Sequence, residues 1–287
     1  MIEYPRITEL QEDYLKSKIA EFLLEDAPAG DVTSNSIIDS NETSTAYIQT
    51  QQDIIFAGKP VLEQFFPKDK FQLEMFVNDG EFAENGKILA KITGSSLLLL
   101  TYERPMLNLL QRLCGIATLT SKYVKIAKPF NVKILDTRKT TPGLRLLEKY
   151  AVACGGGSNH RLDLSSGILI KDNHIKAAGS ITEAIKAAKL ANTGLPIEVE
   201  AENIDQIKEA LECYIDGLLL DNMSSGETTL AVKIIRAYVF GEKVFIESSG
   251  GITLDTLKDY VTTGIDAISI GALTHSATAA ELHLEFE

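Results

Sequence analysis

The chain has 287 residues, 45% hydrophobic and 24% charged, which are globular proportions that exclude a disordered or fibrous protein and leave room for two cores at roughly 150 residues per domain. A net charge of −12 argues against a nucleic-acid-binding protein, and the longest leucine run, 97–100, falls far short of the roughly 18 apolar residues of a membrane helix. Three scattered cysteines (Cys114, Cys154, Cys213) exclude a disulfide framework or zinc ribbon; with no signal-like apolar stretch at the amino terminus, a cytoplasmic protein is expected.

In chain order, a helix is predicted over residues 8–24, followed by a turn at Gly30-Asp31-Val32-Thr33-Ser34. Alternating runs at 45–56, 71–77 and 87–92, separated by Gly58-Lys59-Pro60 and Asn78-Asp79-Gly80, predict an antiparallel α+β unit. A leucine-rich helix over 96–128 comes next, which Pro105 should kink or restart. Beyond it, short apolar runs at 133–135, 168–170, 196–199, 218–220, 244–246 and 267–270 alternate with helical stretches at 181–190, 204–211, 229–238 and 254–261. That cadence predicts repeated βα units and a parallel sheet, an α/β barrel that is either incomplete or holds further strands the pattern does not reveal. The tail, 281–286, alternates with period two and is expected to return as a strand to the first sheet. The predicted fold class is α/β: an N-terminal α+β sandwich domain over 1–106, joined by the tail 277–287, and a C-terminal open α/β barrel over 107–276.

Charge is unevenly spread. Residues 131–176 carry eight cations against four acids, a local +4, which leaves −16 on the other 241 residues. These cations lie in glycine-rich and strand-like text, as expected of a pocket that gathers a small polyanion from a repulsive surface. The run DTRKTTPGLR places Arg138 and Lys139 just past a strand, a pairing suited to a ligand with carboxylate and phosphate groups. CGGGSNHR brings three glycines up to His160 and Arg161; His160 is either a ligand-binding or a structural histidine. Lys171 comes directly after the strand at 168–170.

Glu198 and Glu200 share one face of a buried strand, and Asp221 ends the next. Glu200 and Asp221 suit Mg²⁺, or alternatively ion pairs with Lys139 or Lys171. Ser248-Ser249-Gly250-Gly251 and Gly271-Ala272 close the last two strands, with His275 shortly after, where barrels often hold phosphate on backbone N–H groups.

Read in order, ERPMLNLLQRLCGIATLT, DTRKTTPGLR, CGGGSNHR, LIKDNHI, IEVE, LLLDNM, ESSGGIT and GALTHS resemble quinolinate phosphoribosyltransferase, the decarboxylating nicotinate-nucleotide pyrophosphorylase of NAD biosynthesis. The similarity spans about Glu103 to Ser276 with order and spacing kept; the N-terminal part matches more weakly, through GDVTS. The resemblance implies a type II phosphoribosyltransferase-like barrel in a homodimer or higher homo-oligomer, with quinolinate and phosphoribosyl pyrophosphate as substrates and Mg²⁺ as cofactor. By the same resemblance, Arg104, Arg138, His160, Arg161 and Lys171 surround quinolinate, Arg104 arriving from the other subunit. Lys139 would be shared between the substrates, close to the reacting centre. Glu200 and Asp221 would lie near the ribose and Mg²⁺, and Ser249, Gly250, Gly271 and His275 in the 5-phosphate cradle.

Three other readings compete. A paralogous phosphoribosyltransferase of molybdenum-transport operons would take another acceptor, but intact NHR and KDNH favour quinolinate. A non-catalytic polyanion-binding barrel would gain nothing from Glu200 and Asp221. A barrel aldolase with a Schiff-base lysine would not need a phosphate cradle.

Overall fold

A computed structural model describes residues 2–287. The strands, in chain order, are β1 (Thr43–Thr50), β2 (Ile54–Ile55), β3 (Gln72–Met75), β4 (Phe82–Ala83), β5 (Ile88–Ser95) and β6 (Lys133–Leu135). They continue as β7 (Ile168–Ile170), β8 (Ile197–Ala201), β9 (Gly217–Asp221), β10 (Phe245–Ser249), β11 (Ala267–Ser269) and β12 (Leu282–Phe286). The chain divides into two compact units.

One unit comprises Ile7–Ser121, Leu146–Gly156 and Ser276–Glu287. Its antiparallel sheet has the order β12-β1-β5-β3, so the alternating tail pairs with β1, Leu282 opposite Thr50 and Phe286 opposite Ala46. Inward residues of β1 and β5 (Ile48, Leu89, Ile92) are completely buried with Phe56, Phe65 and Phe66. Each such side chain contributes roughly 1.5–3 kcal/mol relative to exposure. The predicted turn at GDVTS is instead the start of a helix, Val32–Ile37: Asp31 accepts the Ser34 N–H at 2.9 Å, the side-chain cap that a short helix needs. The predicted strand over 45–56 is broken by Gln51-Gln52-Asp53 into β1 and β2.

The long helix runs Ser96–Ala127 with Pro105 inside it, so of the kink or restart expected there, the restart does not occur. Leu99, Met106, Leu107, Leu110 and Leu113 are buried along it, and this apolar stripe outweighs the hydrogen bond that proline cannot make.

The other unit comprises residues up to Arg6, Lys122–Arg145 and Gly157–His275. Its six strands are all parallel, in the order β6-β11-β10-β9-β8-β7. β6 and β7 stay unpaired with each other, so the barrel is open. The free edge of β6 is taken by one parallel bridge, Leu135 to Ser158, in which Ser158 N–H donates to Ile134 C=O at 2.8 Å. The glycine-rich segment thus lies where a further strand would run. The strands are short and almost wholly buried, as sheets covered on both faces require. Helices at Ile181–Leu190, Ile204–Glu212, Ser225–Arg236 and Leu257–Val261 match the predicted amphipathic stretches. The helix Asp172–Ala178 occupies text that reads as motif, and Arg145–Cys154 lies between two motifs where no element is predicted.

Candidate active site

Apart from Asn159-His160-Arg161, which follows the bridge at Ser158, the chemistry-bearing motifs of the barrel unit lie at or just past the carboxyl end of a strand. Lys139 comes after β6, Lys171 after β7, Glu200 near the end of β8, Asp221 and Ser249 at the ends of β9 and β10, and Gly271 after β11. Register orders these groups by depth. Glu200, Leu219 and Glu247 are paired neighbours across three strands; Glu198 lies two residues deeper, opposite Gly217.

On one side the site is basic. Asp136, fully buried just past β6, accepts Asn159 Nδ2–H at 2.6 Å and the His160 N–H at 2.8 Å, which ties the DTRK and NHR motifs together. Arg161 is held by its Nη1–H donating to Gly167 C=O at 2.9 Å. Burial, and then the charge of Arg138, push the Arg161 guanidinium below its ordinary value. Arg138 Nε is buried with no hydrogen-bond partner among the described residues. Two like charges brought together in a half-buried place call for an anion.

The carboxylates Glu200 and Asp221 stand at the ends of β8 and β9. Lys171 Nζ is hydrogen-bonded to Glu200 Oε2, so the ion pair weighed from the sequence forms with Lys171. Lys171 is itself fixed at the start of the Asp172–Ala178 helix, where its backbone N–H donates to His174 Nδ1 at 3.0 Å. Burial first and the Glu200 charge second push the Asp221 carboxyl up. Two carboxylate groups in mutual repulsion, one of them held by Asn222 Nδ2–H at 2.6 Å, are a donor set that fits Mg²⁺, which takes few protein carboxylates and keeps water or phosphate oxygens.

The third group is the predicted phosphate cradle. A Cβ at Gly271 would lie 3.0 Å from Lys139 Cδ and 3.1 Å from His275 Nε2, so these three residues adjoin. Thr274 Oγ1–H donates to Lys139 C=O at 2.8 Å and fixes the loop that carries the lysine. Gly250 has φ +99°, and a Cβ there would meet Asn222 Oδ1 at 2.2 Å, so only glycine fits. The structure therefore brings together Lys139, Gly271 and His275 in one group and Lys171, Glu200 and Asp221 in another. Arg104 lies in the other unit, an exposed residue of the long helix with Glu103 at 3.9 Å.

Below this edge is a cluster that sequence reasoning does not find. His160, Glu198 and Glu247 are buried, with one nitrogen and two oxygens within 4.8 Å of one another. The donor types suit a metal, but the imidazole is committed otherwise. Nδ1 accepts the Arg161 N–H at 2.8 Å, so Nε2 carries the ring hydrogen. That hydrogen points to Tyr4 Oη at 3.2 Å, with Glu247 Oε2 and Glu198 Oε2 at 3.5 and 3.6 Å. Tyr4 in turn donates to Glu198 Oε2 at 2.8 Å. Neither Glu247 oxygen has a hydrogen-bond partner at ordinary geometry among the described residues, although Ser269 lies near, and burial raises its carboxyl to about 7. No periodicity or motif around Tyr4 signals its role; the contact spans 156 residues of sequence.

Comparison with known proteins gives the family. Residues 116–285 match the model for the quinolinate phosphoribosyl transferase C-terminal domain, and residues 31–114 the model for its N-terminal domain. The chain is 41% identical over 274 residues to a probable carboxylating nicotinate-nucleotide pyrophosphorylase of Bacillus subtilis, covering 94% of this chain and 93% of that one. It is 37% identical to the carboxylating nicotinate-nucleotide pyrophosphorylase of Mycobacterium leprae, over 97% and 99% of the two chains. The solved structure of the nicotinate-nucleotide pyrophosphorylase from Francisella tularensis superposes with a TM-score of 0.93 at 35% identity, over 99% of this chain and all of that one. By sequence and by fold, the chain belongs to the quinolinate phosphoribosyltransferase family.

Proposed function

We infer that this protein transfers phosphoribosyl from phosphoribosyl pyrophosphate to quinolinate with decarboxylation, giving nicotinate mononucleotide, pyrophosphate and CO₂. Family membership supports the reaction, and one observation supports the acceptor: Arg138 and Arg161 converge half-buried, with Arg138 Nε unpartnered among the described residues. Such a pair suits a planar dicarboxylate, because each guanidinium can grip a carboxylate with two N–H groups.

The residues divide the work. Arg138, Arg161 and Lys171 bind the acceptor carboxylates, and His160 belongs to the turn that presents Arg161. Arg104, exposed on its helix, is supplied across a homodimer interface. Gly271, His275, Ser249 and Gly250 hold the 5-phosphate, and Lys139 lies between cradle and acceptor. Departure of pyrophosphate leaves positive character on the ribose, which Glu200 and Asp221 favour electrostatically. The ring nitrogen attacks that carbon; the carboxylate next to the nitrogen then leaves as CO₂, its electron pair stays on the ring carbon where the adjacent pyridinium nitrogen stabilises it, and that carbon takes a proton from solvent water. Binding and charge placement suffice; no dedicated base is needed for the transfer. Glu200 and Asp221 would hold Mg²⁺, which when bound supplies charge neutralisation for the pyrophosphate. Three free cysteines, two of them with thiols pushed up to about 12 by burial, suit a reducing cytoplasm; no helix among the described residues is long and apolar enough to cross a membrane.

The test is release of labelled CO₂ from carboxyl-labelled quinolinate, with phosphoribosyl pyrophosphate and Mg²⁺ each omitted in turn. Release that depends on both is expected. No release from folded protein would move the acceptor to another anion.

A further inference from the structure

The amino-terminal residues belong to the barrel unit, although 115 residues of the other unit separate them from its next segment. Ile2 is buried with Leu135, Phe245 and Ala267, and Tyr4 packs against this cluster. The Tyr4 ring meets Phe245 edge-on at 5.4 Å and lies 4.7 Å from the His160 ring. Its hydroxyl accepts from His160 Nε2–H and donates to Glu198, so the hydroxyl is used in both directions. One residue on, Pro5 C=O accepts the Asn159 N–H at 3.1 Å. The turn Asn159-His160-Arg161 is thus gripped from two sides: by Asp136 through Asn159 Nδ2–H and the His160 N–H, and by Tyr4-Pro5 through the His160 ring and the Asn159 N–H. His160 Nδ1 completes the grip by accepting the Arg161 N–H. The orientation of the imidazole therefore sets the backbone from which the Arg161 guanidinium projects.

We propose that Tyr4 is a positioning residue for the acceptor: through the His160 ring it orients the turn that presents Arg161 to the substrate carboxylate. This rests on Arg161 being an acceptor-binding residue. The physical ground is that a guanidinium forming paired bonds to a carboxylate tolerates little rotation. An imidazole that loses the Tyr4 hydroxyl can turn about its own side-chain bonds and release the Arg161 N–H from Nδ1. Tyr4 also lines a cavity of about 630 Å³ walled by Lys133, Phe245 and Asp266 among others.

The experiment is steady-state kinetics of Tyr4→Phe, which keeps the ring and removes only the hydroxyl, with Arg161→Ala measured beside it. The expected result is a rise of at least fivefold in KM for quinolinate, with KM for phosphoribosyl pyrophosphate and kcat within twofold of wild type. A purely structural role would lower the thermal midpoint and the active fraction without separating the two KM values. An unchanged quinolinate KM in Tyr4→Phe, with a raised one in Arg161→Ala, overturns the proposal and leaves the acceptor site intact. An unchanged quinolinate KM in Arg161→Ala overturns the acceptor assignment itself. Should Tyr4→Phe not fold, Glu198→Leu, which removes the acceptor that fixes the Tyr4 hydroxyl, carries the same expectation. A quinolinate KM left at the wild-type value in Glu198→Leu would overturn the proposal.

Discussion

At the scale of single residues, charge is placed against charge. Lys139 adjoins Gly271 and His275, while Arg161 shares a half-buried place with Arg138. Lys139→Ala and Arg161→Ala are each expected to lower kcat/KM at least a hundredfold, with thermal midpoints within a few degrees of wild type; steady-state assay and melting curves check this. Near wild-type kcat/KM in both would remove the assigned roles. Glu247 gives a pH prediction. Its buried carboxyl is raised from an ordinary 4.5 to about 7, so between those values the folded chain keeps a proton that the unfolded chain releases. Folding stability from this group is therefore full below about 4.5, declines as pH rises, and is lost above about 7. Glu247→Gln removes that dependence, so from about pH 5 to pH 8 the urea midpoint of wild type should fall further than that of the variant. Equal falls in both would show that Glu247 ionises normally.

At the scale of elements, most strands and helices have visible local causes. The helix Ser225–Arg236 begins with a capping box in which Ser224 Oγ accepts the Glu227 N–H and the Glu227 carboxylate accepts the Ser224 N–H. Ser224→Ala should cost about 1 kcal/mol in a urea titration and leave kcat/KM unchanged, because this cap touches none of the site groups. The six barrel strands are legible because each is a short apolar run ending at glycine or a charged or polar residue. Two elements mislead for opposite reasons. Val32–Ile37 reads as a turn because its glycine and aspartate are turn residues as well as a cap. The Ser96–Ala127 helix reads as kinked or restarted at Pro105, but buried leucines on both sides keep it from breaking into two. Asp172–Ala178 is hidden inside a motif, since its seven residues are too few to show helical periodicity.

At the scale of the whole molecule, the homodimer reading makes a distinct prediction. If Arg104 serves the partner's site, Arg104→Ala and Lys139→Ala are each inactive alone, yet mixing them after dissociation and reassociation should recover about a quarter of wild-type activity, the statistical share of native sites in a random mixture of dimers. No recovery would place Arg104 and Lys139 in one chain's site.

The sequence by itself determined the βα cadence, the antiparallel first sheet with its returning tail, and the motif residues on the carboxyl edge of the barrel. These are read from local period and from the residue types at each strand's end, so neighbours in sequence carry the signal. Only the tertiary structure decided which charges meet: Glu200 with Lys171, Asp221 raised by Glu200, and Gly271 against Lys139 and His275. It alone revealed Tyr4 and the buried group of His160, Glu198 and Glu247. The reason is physical. A buried polar group must find its partner wherever the fold brings one, and a hydroxyl 156 positions from its imidazole leaves no trace in periodicity, composition or spacing.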